Sequence, residues 1–575
     1  MKIKSMEIHN FRSIKDLRVD LYDYDVLIGA NNSGKTNILT ALRIFYEDGI
    51  KFNEATDFPK FHTDDEESWI EIEYVLTDEE FKNLKDEYKN PGNILKVRKY
   101  LKSADNKKVK TNQSNIYAYE NGKLSENLFY GAKNISQAKL GSVIYIPAVT
   151  KTEETLKLTG PSPLRNMLSF VVKKVIETSN SFEDLKKAFE DFNKKFKEEA
   201  SKDGVSLENF RKEINKNLEG WGVEFNLVIN PVGAEDIIKN LVTHNLIDKI
   251  LEQEMDVSLY GQGLQRHLIY VLISLSAQYK EKSVSEKKDF SPDLTLILFE
   301  EPEAFLHPSQ QEFLNFSLES LASEETQQVI ISTHSPVFVS KNIEKIPSLL
   351  KLTKREEGVT ESFQISKKSQ QILIERNNEL VNVFKEKLKD PLVDENTKRK
   401  IKEILGDTED ETRMEEEAIR YLLWLDAERC SAFFAEVVLI CEGATEKVLI
   451  DYLIKNEWHD LKAKKIYVLD AMGKFNIHRY MNLFGELGIY HSVLADKDQN
   501  QSIHEIINEF IEKKRNKYTK RIYFFDKNIE NFLGIKEPPP NRKEKKPLNV
   551  MWHYLNGKIH SSKIEELRNI VKHLV

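Results

Sequence analysis

Cysteine is nearly absent: the 575 residues include only Cys430 and Cys441, with no CxxC pair. That excludes a disulfide framework and a cysteine-built zinc site, and fits a reducing cytoplasm. No apolar stretch approaches the roughly 18 residues that a bilayer-spanning helix requires, so no membrane partner is expected. The start, Met1-Lys2-Ile3-Lys4, lacks a signal-peptide apolar region and runs straight into a strand-like pattern. An excess of positive charge is missing too: 85 Lys and Arg against 93 Asp and Glu leave a net charge of −8. A basic coat is thereby excluded, but nucleic-acid binding is not, because phosphates respond to local patches rather than to the total. What is present, 40% hydrophobic and 31% charged residues, suits a soluble globular chain whose length implies two to four domains.

Along the chain, Ile3, Met6 and Ile8 alternate with polar residues, and Val26-Leu27-Ile28 reads as a strand ending at Gly29. A helical pattern starts at Thr36, with Ile38, Leu39, Leu42 and Phe45 on one side. Trp69 to Val75 alternates as a half-exposed strand, and Val143 to Ile146 is a further strand. From Ser162 to Leu251 the texture becomes Lys- and Glu-rich with helical spacing, as in Phe182, Leu185, Phe189 and Phe192. Strands return at Leu294 to Phe299 and at Val329 to Ile331. Residues 366–430 read as a charged helical connector with a break near Gly406-Asp407. Beyond it Val437 to Ile440, Ile466 to Leu469 and Val493 to Ala495 restart a β–α alternation, which implies a parallel sheet.

Gly29-Ala30-Asn31-Asn32-Ser33-Gly34-Lys35-Thr36 follows a strand and opens a helix in the phosphate-binding pattern GxxxxGK[ST]. The glycines allow backbone N–H groups to face phosphate, with Asn31, Asn32 and Gly34 in the loop. Lys35 reaches the terminal phosphates of ATP, and the Thr36 hydroxyl is placed for Mg²⁺. Leu296-Ile297-Leu298-Phe299-Glu300-Glu301 supplies the acidic partner, Glu300 toward Mg²⁺ and Glu301 toward the attacking water. Pro302 to Pro308 follows, and some thirty residues on, a strand ends in Ser332-Thr333-His334-Ser335-Pro336.

This order resembles the ABC ATPase heads of the SMC and RecF type. The resemblance implies that His334 is the switch histidine near the γ-phosphate and that Glu303 to His307 form a loop crossing a dimer interface. It also implies a signature loop, for which Ser258 to Arg266 is the candidate. Gly261 and Gly263 there suit phosphate contact at a helix N-terminus. The loop departs from the pattern by carrying Gln262 where serine is usual. A composite site of this kind requires at least a homodimer.

Near the C-terminus, Cys441-Glu442-Gly443-Ala444-Thr445-Glu446 follows one strand, and Ala495-Asp496-Lys497-Asp498 ends another. Strand ends deliver carboxylates to one edge of a sheet, and hard oxygen ligands select Mg²⁺ or Mn²⁺. Glu after one strand and Asp-x-Asp after another resembles the Toprim arrangement, in which such ions activate water at a phosphodiester.

Taken whole, the chain resembles the OLD (overcoming lysogenization defect) nucleases, with an N-terminal ABC ATPase and a C-terminal Toprim domain. The segment Glu428 to Gly443 is similar to that family's domain junction. The family includes stand-alone nucleases, the Gabija nuclease and retron effectors. The resemblance implies an α/β fold: ATPase 1–161, helical insertion 162–251 serving dimerisation, ATPase 252–365, connector 366–430 and Toprim 431–575. It implies ATP-regulated DNA cleavage with two metals, held by Glu442, Glu446, Asp496, Asp498 and Glu530. It also implies a catalytic lysine, Lys558 with Lys563 as the alternative, and a glycine-bearing loop at Asp470 and Gly473. It admits a defence-system partner, a helicase or a retron reverse transcriptase with its nucleic acid. The basic cluster Lys513, Lys514, Arg515, Lys517, Lys520 and Arg521 is expected to track DNA toward the metals. A non-cutting SMC- or RecF-like DNA clamp is the alternative, and a topoisomerase-like transesterase lacks a strand-passage domain.

Overall fold

The alternating apolar positions of the first hundred residues build an antiparallel sheet. Its strands are β1 (Lys2–Phe11), β2 (Ile14–Asp20), β4 (Ser68–Val75), β5 (Ile94–Lys102), β6 (Ile116–Glu120) and β7 (Lys123–Leu128), in the order β2-β1-β4-β5-β6-β7. One face buries Ile3, Ile8, Ile72, Tyr74 and Val97. The other face of β4 is less open than its alternation predicts. Glu71 is buried there because Lys96, Arg98 and Tyr119 close over its carboxylate at 2.6–2.7 Å, and a buried charge persists only when so paired.

The computed structural model describes residues 1–148, 156–158, 163–227, 234–278, 290, 292–339, 343–355, 357–406, 412, 416, 420, 425–498 and 502–575. They form two units, residues 1–148 with 288–575, and residues 149–287. In the first unit a second sheet contains β3 (Tyr24–Ile28), β8 (Ser142–Ile146), β11 (Thr295–Glu300), β12 (Gln327–Ser332), β13 (Leu349–Lys354) and β14 (Thr360–Gln364), ordered β14-β13-β3-β12-β11-β8. All its pairs are parallel except β13 with β14. The helix Lys35–Phe45 lies between the two sheets, burying Ile38, Leu39, Leu42 and Phe45 in a core shared with Leu27, Leu296 and Ile330. Parallel pairing puts the C-terminal ends of β3, β11 and β12 on one edge, where open α/β sheets bind ligands.

A third sheet, all parallel, is formed by β15 (Val437–Cys441), β16 (Ile466–Asp470), β17 (Tyr490–Asp496) and β18 (Thr519–Phe525), ordered β16-β15-β17-β18. Leu439, Leu494 and Phe525 pack against Leu449 and Leu453 of the helix Ala444–Asn456 and Leu567 of the C-terminal helix Ser561–Leu574.

The expected connector is not a free linker. Its first helix, Lys367–Lys389, packs on the third-sheet domain, where Asn482 donates to the Asn377 carboxamide at 2.9 Å and Lys514 pairs with Glu379. The second, Glu395–Leu405, ends at Gly406; Asp407, the other half of the expected break, lies outside the described residues. Two further contacts join the sheets. The buried Lys351 ammonium on β13 donates to the Phe433 carbonyl at 2.7 Å. Phe363 on β14 packs so closely on Gly488, at φ +64°, that a side chain there would collide with the ring. At its other end β14 touches the phosphate loop: Thr360 Oγ1 donates to the Ser33 carbonyl at 3.1 Å, and a Cβ on Gly34 would lie 2.5 Å from that hydroxyl.

The second unit is wider than the expected insertion of 162–251, spanning 149–287. The reason is that the helix Gln262–Gln278 packs its Leu268, Leu272 and Leu275 with Leu164 and Met167 of the helix Pro163–Thr178. The helix Asn180–Glu198 leaves Phe192 and Phe196 exposed and stacked at 5.0 Å. The short strands β9 (Leu246–Asp248) and β10 (Gln253–Met255) of this unit pair antiparallel, and Gly261 and Gly263, the proposed signature-loop glycines, lie at the start of the helix Gln262–Gln278.

Candidate functional site

At the C-terminal edge of the second sheet a cavity of about 310 Å³ is lined by residues 31–37 of the phosphate loop and by Glu300, Glu301, Ser332 and His334. The three sequence segments singled out for nucleotide therefore meet. Gly34 adopts φ +106° and Asn32 φ +64°, which turn the loop's backbone around the helix start. The Lys35 ammonium spans the loop, donating to the carbonyls of Gly29 at 2.9 Å and Ala30 at 3.0 Å. Burial outweighs the nearby Glu301, Glu303 and Glu300 and pulls its pKa down to about 8.

Glu300 is held on both oxygens, accepting from the Thr36 hydroxyl at 2.5 Å and from Tyr145 on β8 at 2.6 Å. Tyr145 in turn lies under the Arg43 guanidinium, 3.8 Å from its ring centroid. His334 Nε2 lies 3.7 Å from Glu301, and burial followed by the Lys35 charge keeps its pKa below the usual value. Glu303 accepts from Thr333 Oγ1 at 2.7 Å and from the His334 amide at 2.6 Å, fixing the backbone at His334. His307 caps the following helix Pro308–Ala322, so its local task is structural. Asn37, which lines the cavity, donates to Ser13 Oγ at 2.8 Å. Tyr145 and Ser13 were not legible as site residues, because neither stands in a motif.

The second cluster lies at the C-terminal edge of the third sheet. Glu442 follows β15, Asp496 ends β17, Asp498 follows it at φ +53°, and Glu530 sits in the short helix Ile529–Phe532 after β18. Glu446, in the first turn of the helix Ala444–Asn456, accepts from the Gly443 amide at 3.2 Å. Glu442 Oε2 accepts from the Asp496 amide at 3.1 Å. Glu446, Asp496 and Glu530 are buried. Burial, then mutual repulsion, raises the pKa values of Glu446 and Asp496 above the usual carboxylate range, and burial does the same to Glu442.

Two lysines absent from the expected set enter this cluster. Lys474, 2% exposed, follows Gly473 in the loop after β16. It donates to Asp498 Oδ2 at 2.6 Å and to the Asp496 carbonyl, and lies 3.7 Å from Glu442. Lys546, at the start of the helix Lys546–Leu555, lies 3.4 Å from Glu530. Burial lowers its pKa, but Glu530 and Asp496 outweigh that and leave it raised. Lys558 is exposed, with its ammonium 3.9 Å from the Trp552 ring centroid, and Lys474 and Lys546 are the cations that the structure sets beside the cluster's carboxylates. Lys563 pairs with Glu566 instead. Asp470 accepts from the Met472 amide, shaping the loop that delivers Lys474.

The basic cluster lies apart from these acids. Lys513 ends the helix Ser502–Lys513 and residues 514–518 form the turn into β18, so they occupy the edge opposite the carboxylates, one seven-residue strand or about 20 Å away. Several of its charges are engaged locally: Lys514 with Glu379, Arg515 with Glu512 and Arg521 with His573.

Among the described residues, no three His, Cys, Asp or Glu side chains already converge closely enough to hold an ion. The donor chemistry nevertheless fits a hard divalent cation. Asp496 Oδ1 is buried without a hydrogen-bond partner, while Glu530 Oε1, also without a hydrogen bond, lies 3.4 Å from the Lys546 ammonium; a buried carboxylate oxygen left unpartnered is costly until a cation or donor meets it.

Residues 1–339 match the AAA ATPase domain family, and residues 433–498 match the TOPRIM domain of overcoming lysogenization defect protein-like chains. The chain is similar to the Old nuclease of Escherichia phage P2, 25% identical over 511 residues that cover 87% of this chain and 77% of that protein. It is also similar to Endonuclease GajA of Bacillus cereus (strain VD045), 22% identical over 527 residues that cover 87% of this chain and 75% of that one. Among solved structures, the SmcHead bound to the C-winged helix domain of ScpA aligns with a TM-score of 0.37 at 14% identity, covering 64% of this chain and 98% of that one.

Proposed function

We propose that this chain, which belongs to the AAA ATPase domain family and carries a TOPRIM domain, is an ATP-regulated, divalent-cation-dependent DNA endonuclease. The observation that carries the reading is the gathering of Glu442, Glu446, Asp496, Asp498 and Glu530 at one sheet edge, with the buried Asp496 Oδ1 lacking a hydrogen-bond partner. The names of the two curated relatives, a nuclease and an endonuclease, support it.

The carboxylates would hold Mg²⁺ or Mn²⁺. Such an ion, when bound, supplies an activated water and steadies the leaving oxygen of a phosphodiester. Lys546, beside Glu530, is the candidate to meet the charge of the phosphate. In the ATPase site Lys35 meets the terminal phosphates, Thr36 and Glu300 would hold Mg²⁺, and Glu301 with His334 would orient the water. β14 touches both the phosphate loop and the TOPRIM domain, which gives nucleotide state a physical route to the nuclease. Regulation requires only that nucleotide bind one arrangement better than another.

Pairing of ATPase heads and the exposed aromatic face of the helix Asn180–Glu198 are proposed to build a homodimer. Action in the cytoplasm in defence against phage, with or without a helicase or reverse transcriptase partner, follows from the family resemblance alone. The test is cleavage of supercoiled plasmid with Mg²⁺ or Mn²⁺, with and without ATP. Nicking by the native chain that Asp496→Ala abolishes supports the nuclease. Intact plasmid together with DNA binding by the native chain would favour the non-cutting clamp.

A further inference from the structure

The helix Lys546–Leu555 carries two apolar faces but packs only one of them. On the inner side Val550 is fully buried, and Tyr554 meets the Tyr452 ring and the Glu457 carboxylate. Leu548, Trp552 and Leu555, spaced i, i+4 and i+7, share the outer face and remain 68%, 47% and 62% exposed. Around them the charge is positive. Residues 542–558 hold five Lys and Arg against one acid, Glu544, in a chain whose net charge is −8. Arg542 and Lys545 are exposed and form no ion pair among the described residues, and the Lys558 ammonium lies 3.9 Å from the Trp552 ring centroid. The helix begins at the carboxylate edge, where Lys546 lies 3.4 Å from Glu530. At 1.5 Å per residue, Trp552 stands about 9 Å further along its axis.

We propose that this face receives the DNA strand where it leaves the carboxylate cluster, with Trp552 stacking on an unpaired base, so that the site acts on DNA whose bases are locally unpaired. This rests on the nuclease reading and deepens it. The local positive charge, continuous with the acids through Lys546, selects a polyanion as the occupant. An apolar groove on another protein would have to bury Arg542, Lys545 and Lys558 beside the leucines, and buried charge without a partner is costly. Among polyanions, a duplex keeps its base faces stacked inside and offers the indole little to cover. An unpaired base presents an open π face to Trp552, while its flanking phosphates meet the surrounding cations.

The test measures binding of two labelled DNAs to the full chain by fluorescence anisotropy: a duplex, and the same duplex with a short unpaired bubble. Ca²⁺ replaces Mg²⁺, since it fills oxygen ligands with looser geometry. The native chain should bind the bubble about tenfold more tightly. Trp552→Ala should abolish that preference while changing duplex affinity less than about twofold, and Trp552→Phe, which keeps a stacking ring, should retain most of it. Arg542→Gln with Lys545→Gln should weaken both DNAs alike and flatten the dependence of log affinity on log salt by about two. Equal affinity of the native chain for the two DNAs, or a preference that survives Trp552→Ala, would overturn the proposal. So would failure to bind either DNA, which would assign the face to a protein partner. Plasmid cutting by the native chain with Mg²⁺ separates the two readings. Cutting without a bubble preference defeats this inference alone, whereas a Trp552-dependent preference without cutting defeats the nuclease reading alone.

Discussion

The two acidic sites of this chain solve the problem of a carboxylate near phosphate in opposite ways. In the ATPase site Glu300 is satisfied before any ligand arrives, bonded by Thr36 and Tyr145 around an open cavity of about 310 Å³. In the TOPRIM site Glu446, Asp496 and Glu530 are buried, Asp496 keeps an oxygen without a hydrogen-bond partner, and the compensating cations are lysines. The first site holds its acid at little cost and must break a hydrogen bond to admit a cation. The second carries an electrostatic cost that a cation removes.

The largest effect that tests this contrast is on cleavage. Asp496→Ala should reduce plasmid nicking by about three orders of magnitude or more, since the cation would lose a ligand that nothing else replaces. Retained nicking would mean that the unpartnered oxygen of Asp496 is incidental. Next, Lys35→Ala should weaken ATP binding about a hundredfold by calorimetry, the scale of losing charge-assisted bonds to phosphate, while leaving the TOPRIM ion count alone. Third, in EDTA Asp496→Asn should raise stability to denaturant by about 2 kcal/mol, because it removes a buried carboxylate whose Oδ1 has no hydrogen-bond partner, and Mg²⁺ should reverse that order. A loss of stability in EDTA would place the cost elsewhere.

The junction offers the mirror case, a buried cation. Burial pulls Lys351 down to about 8 from an unfolded value near 10.5. Between those values the unfolded chain holds the extra proton, so raising the pH favours the folded state. Relative to Lys351→Met, the native chain should gain about 2 kcal/mol between pH 8 and 9.5, read from denaturant melts. A flat difference would show that water reaches the ammonium. The smallest effect is expected from Tyr145→Phe, which frees one oxygen of Glu300 and should weaken Mg²⁺-ATP binding roughly fivefold, about 1 kcal/mol.

Legibility in the sequence followed how local each feature is. Gly29 to Thr36 is a contiguous motif on a strand, loop and helix, and the α/β architecture with its TOPRIM domain could be read from strand spacing and family pattern. Lys474, Lys546 and Tyr145 were missed because each acts through a partner far along the chain: 24 residues from Asp498, 16 from Glu530 and 155 from Glu300. The one available signal was Gly473-Lys474 three residues after the end of β16, at the same edge as the acids. The position of the basic cluster was illegible for a different reason. A run of charge carries no direction, whereas its position between a helix and the start of a strand sets it on the edge away from the acids. Glu71 shows the same limit in miniature, since strand alternation does not reveal that Lys96, Arg98 and Tyr119 will cover it.

The grip of β13, β14 and the helix Lys367–Lys389 on the third-sheet domain bears on how this chain can be divided. A fragment starting at residue 431 would shed Lys351 from the Phe433 carbonyl, Phe363 from Gly488 and Asn377 from Asn482 at one stroke. It would bare an apolar flank and expose the fragment to aggregation. A fragment starting at residue 349 keeps all three partners. Swapping nuclease halves between such chains is thus a graft across a shared wall, and the cut that respects it lies upstream of β13.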